Sequence, residues 1–433
     1  MRSRRLTPPV RRTARRWRTP PAILHGGEAF EGAAVLDEMK GPLGVLLFQL
    51  ARNVYLWAST PPEEREGLFQ SRADETLTGM LHEADADVQL ELALLPLVRM
   101  TNSPDTAHEE QVAVACQHVA RWADVNSHLE TAIAFAQGAA VVLPADAAAS
   151  FAVGRLARRR AEYARAETWY RRAVALGRQS GDWASYSMAF GGLGNLYAQR
   201  GNLPMARRFH LRALRAARRH SLRALHGSAL HDLFVLAAQM GQPDTAESLA
   251  RQAFDTYGQD HPRLVFLAAD VAYLWMERGR FAPALTVFQA LVHHLRRHED
   301  LITQANMVRA AAGAGERRLF EQTYAEVWDR VTRTQNLENA AAVMLELAHG
   351  ATMLGEWDKA ERAAERAAQV ARERGEGKVL LSAEAVVDQV RRNRGVKARI
   401  AAATPPPEPE TAERAQTFAQ DLVRTLNAVL VAG

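Results

Sequence analysis

The stretch that decides the fold is residues 193–214, LGNLYAQRGNLPMARRFHLRAL. Its small residues Gly194 and Ala206 suit a place where two antiparallel helices cross closely, and Gly201 falls at the turn between them. We expect Tyr197 to fill the gap that the small residues leave, and Ala213 to let a following unit approach. The stretch therefore predicts a helix pair that packs against neighbours of its own kind.

The same pattern recurs along the chain in a steady register. With Ala206 as the marker, successive markers are 34, 40, 40, 38, 36 and 40 residues apart. The seven markers are Ala132, Ala166, Ala206, Ala246, Ala284, Phe320 and Ala360. A turn glycine stands five residues before five of them, at Gly201, Gly241, Gly279, Gly315 and Gly355. The sequence thus predicts a stack of about seven helix pairs, with the sixth pair held further apart by the bulk of Phe320.

This pattern resembles the tetratricopeptide repeat family. The matching residues are Leu193, Gly194, Tyr197, Gly201, Ala206 and Ala213. The resemblance covers roughly Pro104 to Gly395 and implies an all-α, right-handed solenoid of helix pairs with a concave groove. It implies no chemical reaction. It also implies that the first helix of each pair lines the groove, through residues eleven and fifteen positions before each marker.

The groove positions supply the candidate binding residues. The series eleven positions before the markers is Arg155, Asn195, Val235, Tyr273, Arg309 and His349, and the series fifteen before is Phe151, Gly191, His231, Ala269, Ala305 and Leu345. We single out as partner-binding candidates Arg155, Asn195, His231, Tyr273 and Arg309. Polar and planar side chains suit hydrogen bonds to an extended peptide backbone or to its acidic groups. The alternative for each residue is a solvated groove lining without a ligand.

The charge distribution argues against nucleic-acid binding by the folded body. The 433 residues include 54 Lys and Arg against 49 Asp and Glu, a net charge of +5. Eight arginines and no acidic residue fall within the first 20 positions, and subtracting these eight charges from +5 leaves −3 for the remainder. Such a body lacks a broad basic footprint. Residues 1–27 are predicted to be a disordered basic tail, either a contact arm for acidic lipid or nucleic acid or a neutral extension.

The segments around the repeats are also predicted to be helical. Residues 28–103 form an N-terminal helical region, in which Thr60 caps one helix and Pro96 ends another that begins at Val88. Residues 396–410 are a Pro-rich linker. Residues 411–433 form an amphipathic helix with an apolar face of Ala415, Phe418, Leu422, Leu426 and Val429. We expect this helix to cap the end of the stack, or otherwise to lie in the groove.

Motifs for chemistry are not recognisable in the sequence. The glycines from Gly191 to Gly194 follow no strand, and the histidines around His293 lack a third ligand at metal-binding spacing. The one cysteine, Cys116, cannot form an internal disulfide, which fits a reducing compartment. No apolar run reaches the ~20 residues of a membrane-spanning helix. We therefore predict a protein without enzymatic activity, cofactor or metal.

The predicted function is a cytoplasmic scaffold that binds a peptide or helix of another protein in the groove. Small-molecule substrates, nucleic acid on the folded body and membranes are not expected as partners, and the oligomeric state stays open. The alternative is a peptide-sensing switch that acts on a transcription or signalling protein. Bacterial regulators of that kind join an N-terminal helical bundle to about seven such repeats, and the layout here is similar in outline. The chaperone-binding type is not expected, because its lysine places hold Gly191, Ala269 and Ala305.

Overall fold

The computed structural model describes residues 32–69, 73–84, 86–259, 261–294, 300–333, 339–393 and 409–432. Within these ranges the chain forms twenty α-helices, one short 3-10 helix and no strand, which confirms the all-α class. The predicted basic tail, 1–27, and most of the predicted linker, 396–410, lie outside the described residues. None of the helices in these ranges combines the length and apolar character that spanning a membrane requires.

The chain divides into two compact units, residues 1–225 and residues 226–433. Unit 1 opens with α1 (Gly32–Glu38), α2 (Gly41–Ser59), α3 (Ala73–Glu83) and α4 (Val88–Asn102). Three helix pairs follow, α5 (Glu109–Val125) with α6 (Leu129–Val142), α7 (Ala147–Arg159) with α8 (Tyr163–Ser180), and α9 (Trp183–Gln199) with α10 (Leu203–Arg219). Within this unit α6 also packs on α7 and α8 packs on α9, so the pairs stack in chain order.

Unit 2 continues the same scheme with four pairs. They are α11 (Arg223–Gln239, mostly in this unit) with α12 (Pro243–Tyr257), α13 (Leu264–Glu277) with α14 (Phe281–Val292), α15 (Asp300–Ala314) with α16 (Arg317–Arg333), and α17 (Ala340–Met353) with α18 (Trp357–Arg374). Two further helices complete the unit, α19 (Gly377–Asn393) and α20 (Pro409–Ala432). The stack of helix pairs predicted from the markers is therefore present in both units.

The turns inside the pairs confirm the register. All seven markers are 0% exposed. The residue five positions before each marker has a positive φ, between 63° and 81°. Five of these residues are the predicted glycines, while Ser127 and Ala161 take the same left-handed conformation in the first two pairs. Only glycine adopts that conformation without steric cost, which explains why glycines recur at these turns and mark them in the sequence.

One packing prediction inside the defining repeat is wrong. A side chain at Gly194 would collide with the imidazole ring of His210, so His210 fills the space that this glycine leaves. Tyr197 instead is half-buried, and its hydroxyl donates a hydrogen bond of 3.0 Å to Glu167 Oε1 on α8. The small residue at position 194 is thus required by a ring from the second helix of its own pair.

Two boundaries in the N-terminal region also differ from expectation. The predicted helix after Thr60 is a single 3-10 turn, Pro62–Glu64, and the Thr60 hydroxyl donates back to Leu56 O at 2.8 Å, so it belongs to the end of α2. Pro96 lies inside α4 and does not end it. Proline removes one bond to the carbonyl four residues earlier. That carbonyl belongs to Leu92, a residue 63% exposed, where water can satisfy it.

The C-terminal helix docks where neither expectation placed it. α20 packs on α14, on α13 and on side chains of α12, and not on α19 at the end of the stack. Because α12 and α14 are second helices, this place is also not the groove that the first helices were expected to line. The predicted apolar face is confirmed for Ala415, Phe418, Leu422 and Leu426, all buried; the side chain of Val429 is outside the described set.

Candidate binding surface

The first-helix face of unit 2 holds a cluster of ion pairs centred on Arg309. We define this face by side chains of α13, α15 and α17 that stand seven, eleven, fourteen or eighteen positions before a marker. Arg309 Nη1 on α15 lies 2.7 Å from Glu277 Oε1 on α13 and 3.0 Å from Glu346 Oε2 on α17. One guanidinium thus joins three successive first helices and is balanced by two carboxylates.

The protonation states of this cluster follow from burial and from the charges around it. Burial raises the pKa of Glu346, while Arg309 opposes that rise. Burial alone would lower the pKa of Arg309, but Glu346 and Glu277 raise it above its usual value. Burial, assisted by the charge of Arg309, lowers the pKa of His349 to about 4, so its imidazole is neutral at pH 7. Arg309 is thus already engaged by two carboxylates of the chain itself.

Aromatic side chains lie beside the cluster on α13. Tyr273 is 41% exposed and Phe266, seven residues earlier on the same side of the helix, is 52% exposed. Partial burial and the charges of Glu346 and Glu277 raise the pKa of Tyr273 to about 12, so its hydroxyl keeps its proton and can donate a hydrogen bond. The face therefore combines two large rings with hydrogen-bonding groups.

His231 is placed differently from the other candidates. Its side chain is 2% exposed, with Nε2 2.8 Å from Asp270 Oδ2 and Nδ1 3.3 Å from the hydroxyl of Tyr257. The Asp270 carboxylate is about half exposed. A partner on this face would therefore contact Asp270, and His231 would hold that carboxylate in position.

The remaining candidates lie in unit 1. Arg155 Nη2 is 2.8 Å from Asp124 Oδ2 on α5, and Arg159 pairs with the same carboxylate. Two guanidinium groups thus share one carboxylate, which leaves one net positive charge on the first helices of this unit. Asn195 on α9 is half-buried, and its amide has no hydrogen-bond partner among the residues that the structure describes.

Four acidic residues that pair with the candidate residues were missed by the sequence reasoning. They are Asp124, Asp270, Glu277 and Glu346. Asp270 and Glu346 each stand fourteen positions before a marker, Glu277 stands seven before and Asp124 eight before. A search restricted to the eleventh and fifteenth positions passes over them, although the helical period puts all four positions on one side.

Nothing described in the chain is arranged as a metal centre. Among the described side chains, no three of His, Cys, Asp or Glu lie close enough to hold an ion together. Cys116 is buried, and burial raises the pKa of its thiol, which disfavours the reactive thiolate.

Comparison with known families agrees with the helix pairs. Residues 145–219 match the family model of the tetratricopeptide repeat. The chain contains tetratricopeptide repeats. The match spans α7 to α10, and the same marker spacing and turn conformation extend these repeats into both units. No curated protein matches the chain in sequence.

Several solved structures are similar to this repeat protein. A Rap protein complexed with Competence and Sporulation Factor has 11% identity and a TM-score of 0.47, over 80% of this chain and 99% of that one. The Rap conjugation gene regulator of plasmid pLS20, in complex with the Phr* peptide, has 14% identity and a TM-score of 0.45, over 83% and 99%. PilF of Pseudomonas aeruginosa has 15% identity and a TM-score of 0.39, over 52% and 95%.

Proposed function

We propose that this chain is a non-enzymatic interaction protein that binds a peptide or helix of a partner protein in the groove formed by its first helices. Repeats of this family are protein-interaction modules, which supports the general class. The observation that carries the proposal is the first-helix face of unit 2, where exposed rings stand beside a pre-organised ion-pair cluster. Interfaces commonly use such aromatic anchors with nearby hydrogen-bonding groups.

The unit 2 face suits a segment with an apolar side chain and a nearby basic or hydrogen-bond-donating group. Phe266 and Tyr273 offer apolar area, and the Tyr273 hydroxyl can donate to a peptide carbonyl. Because Glu277 and Glu346 already pair with Arg309, the cluster offers carboxylate oxygens to a cationic group rather than a free guanidinium to the acidic group expected from Arg309 alone.

The unit 1 candidates suit an acidic group of the partner, as expected from their sequence. Arg155 and Arg159 share the single carboxylate of Asp124, so their excess positive charge suits a carboxylate of the partner. The unpartnered amide of Asn195 can bond to a peptide backbone, which both donates and accepts.

The test compares the proteins captured by immobilised full-length chain and by two variants. Tyr273→Ala removes the exposed ring on the first-helix face, while Leu381→Ala truncates an exposed residue of α19, which is not one of the three helices that define this face. We expect specific partners to be lost with Tyr273→Ala and kept with Leu381→Ala, with unchanged helical content in both. Capture of the same proteins by both variants, or loss with both, contradicts the proposal. Arg155→Glu then tests the unit 1 positions against the purified partner.

The second candidate function is a peptide-sensing switch. It is favoured by the way the N-terminal helices join the first pair. The carboxylate of Glu38, at the end of α1, accepts hydrogen bonds from the backbone N–H groups of Glu130 and Thr131 at 3.0 and 2.8 Å, and so caps α6. A switch requires that a peptide on the first-helix face change the affinity for a second protein. Independent binding of the two ligands would exclude it.

A further inference from the structure

A groove lies between the second helices α8 and α10 of unit 1. Both helices pack closely on α9, which forms the floor, but not on each other. The groove has a volume of about 850 Å³. Five ring side chains line it, namely Trp183, Tyr186, Phe190, Phe209 and His220. The rings of Trp183 and His220 are stacked, with centroids 4.1 Å apart, which makes part of the lining rigid. We call this feature the α8–α10 groove.

The rim of the α8–α10 groove is strongly basic. Its exposed arginines are Arg171, Arg178, Arg212, Arg215 and Arg219, and no lining residue is acidic. Arg171 pairs with Glu167 on its own helix at 2.6 Å. Across the described ranges, the other four have no carboxylate within ion-pair distance. An apolar, aromatic groove is thus bordered by four uncompensated positive charges.

The corresponding groove of unit 2 shows what such a feature holds. Between α12 and α14, over α13, lies the chain's own helix α20. The ring centroid of Phe418 is 5.5 Å from that of Phe254 and 5.8 Å from that of Trp275. Asp421, three residues after Phe418, has Oδ2 2.9 Å from Arg251 Nη2. This groove therefore binds α20 through a buried aromatic residue and through an acidic residue that follows it by about one helical turn.

The two grooves use the same positions of the repeat. Arg251 and Phe254 stand five and eight residues after the marker Ala246. Arg171 and Val174, which line the α8–α10 groove, stand five and eight residues after Ala166. The positions that hold a helix in unit 2 thus form an exposed groove wall in unit 1.

We propose that the α8–α10 groove binds an acidic amphipathic helix of a partner protein. The apolar stripe of that helix packs on the aromatic lining, and its flanking carboxylates pair with Arg212, Arg215 and Arg219. The buried part of α20, residues 415–426, indicates three helical turns, or ~18 Å. This surface is separate from the first-helix face, so the inference does not rest on the proposed function.

A helix is favoured over a single-stranded nucleic acid because the equivalent groove of unit 2 holds a helix, through Phe418 and Asp421. Phosphates and stacked bases would also suit arginines and rings, and the DNA titration described below separates the two. Arg212 already lies over the rings of Phe190 and Phe209, 5.6 and 5.7 Å from their centroids, so its charge sits directly above the apolar surface. That arrangement matches Arg251, which lies 4.8 Å over the ring of Phe418.

The probe for the test is a labelled synthetic peptide of residues 409–432 with Arg414→Glu and Arg424→Glu. These changes take the net side-chain charge of the segment from −1 to −5. The full-length chain is titrated into the peptide, and binding is followed by fluorescence anisotropy. The test variant carries Arg212→Glu and Arg215→Glu. The matched control carries Arg207→Glu and Arg208→Glu, which are exposed on the same helix but do not line the groove.

We expect the test variant to bind the peptide at least ~10-fold more weakly, and the control to stay within ~2-fold of the wild type. Replacing Phe418 of the peptide by alanine is expected to weaken binding to a similar extent. Tyr273→Ala in the protein is expected to leave peptide binding unchanged, because Tyr273 lies on the first-helix face. Binding in the α8–α10 groove can therefore be tested independently of the proposed function.

Four outcomes overturn the inference. They are an absence of binding, an equal loss in the test and control variants, indifference to the Phe418→Ala change, and dependence on Arg251 in place of Arg212 and Arg215. The last would mean that the peptide displaces α20 in unit 2. Tighter binding of a 24-nucleotide single-stranded DNA, lost with the same arginine reversal, would identify a phosphate-binding surface instead.

Discussion

The second helices form a groove in each unit, and the two grooves are in different states. In unit 2, α20 covers the groove between α12 and α14, and a single ion pair joins Arg251 to Asp421. In unit 1, the α8–α10 groove is exposed and has five arginines on its rim. Relative to the marker, Arg212 and Arg215 of unit 1 correspond to Ala290 and His293 of unit 2. The rim charge therefore differs at two positions that a docked helix would contact.

The repeat geometry forms such a groove in both units, and the side chains on its rim differ between them. The unit 2 groove, which has an alanine and a histidine at these two rim positions, holds a helix mainly through buried apolar side chains. A groove with four uncompensated arginines selects for acidic flanks, because a neutral helix would leave those charges without partners as water is removed.

The largest effect is expected when a charge is placed inside the covered groove. Leu422 of α20 is 0% exposed, so Leu422→Asp should lower the free energy of unfolding of unit 2 by at least ~3 kcal/mol, through lost burial and a buried carboxylate. Gln420→Asp adds the same charge on the exposed side of α20 and should cost less than ~0.5 kcal/mol. Equal costs in chemical denaturation would show that α20 is not docked as described.

A second effect is a pH dependence of the free energy of unfolding that arises in unit 2. His349 of unit 2 has its pKa lowered to about 4, against a usual value of 6.5. Between these values the unfolded chain takes up a proton that the folded chain does not, so stability should fall by ~2–3 kcal/mol as the pH drops from 6.5 to 4. Burial raises the pKa of Glu346, which acts in the opposite direction.

The difference between two variants isolates the histidine. His349→Gln should remove its share of the pH dependence, while Met353→Gln, at an exposed position four residues further along α17, introduces the same amide without removing a titratable group and should leave the dependence unchanged. Identical pH profiles of denaturation for the wild type and His349→Gln would contradict the assigned burial.

A third effect concerns the floor of the exposed groove. Ala206 is buried where α10 crosses α9, so Ala206→Leu should overpack the crossing and cost ~2 kcal/mol. Ala148→Leu, at an exposed alanine of α7, is the matched control and should cost less than ~0.5 kcal/mol. Because α9 forms the groove floor, binding of the acidic peptide should weaken only with the first variant. An unchanged melting temperature would contradict the register.

The smallest effect compares one repeat position in the two grooves. Arg251→Ala removes the bond to Asp421 and the contact over Phe418, which should cost ~1 kcal/mol. Arg171→Ala removes an exposed pair with Glu167 on the same helix and no contact with α20, and should cost less than ~0.5 kcal/mol. If the two costs agree, the interaction with α20 contributes nothing measurable.

The repeat register was predictable because it depends on local requirements that one residue type satisfies best. A left-handed turn favours glycine, as at Gly201 and Gly241, and a close helix crossing favours alanine, as at Ala206. The apolar face of α20 was predictable from the helical period for the same reason. These signals are contained within a few residues of the chain.

The features that sequence reasoning missed depend on contacts between distant residues. The ring over Gly194 comes from His210, and the site that receives Phe418 is built from Phe254 and Trp275 on two other helices. Periodicity shows that a face is apolar, but it does not show which surface covers it. The acidic partners of Arg309 were missed because a charge series along the sequence does not show which neighbouring helix supplies the counter-charge.

Hydrogen exchange measured by mass spectrometry on the wild type and on Leu422→Asp tests the contrast between the grooves most directly. In the wild type, the amides of residues 415–426 should exchange slowly, as those of a docked helix do. In the variant, α20 and the facing segments of α12 and α14 should lose protection, while α8 and α10 keep theirs. Fast exchange throughout 415–426 in the wild type, or equal loss of protection in both grooves of the variant, would contradict the account.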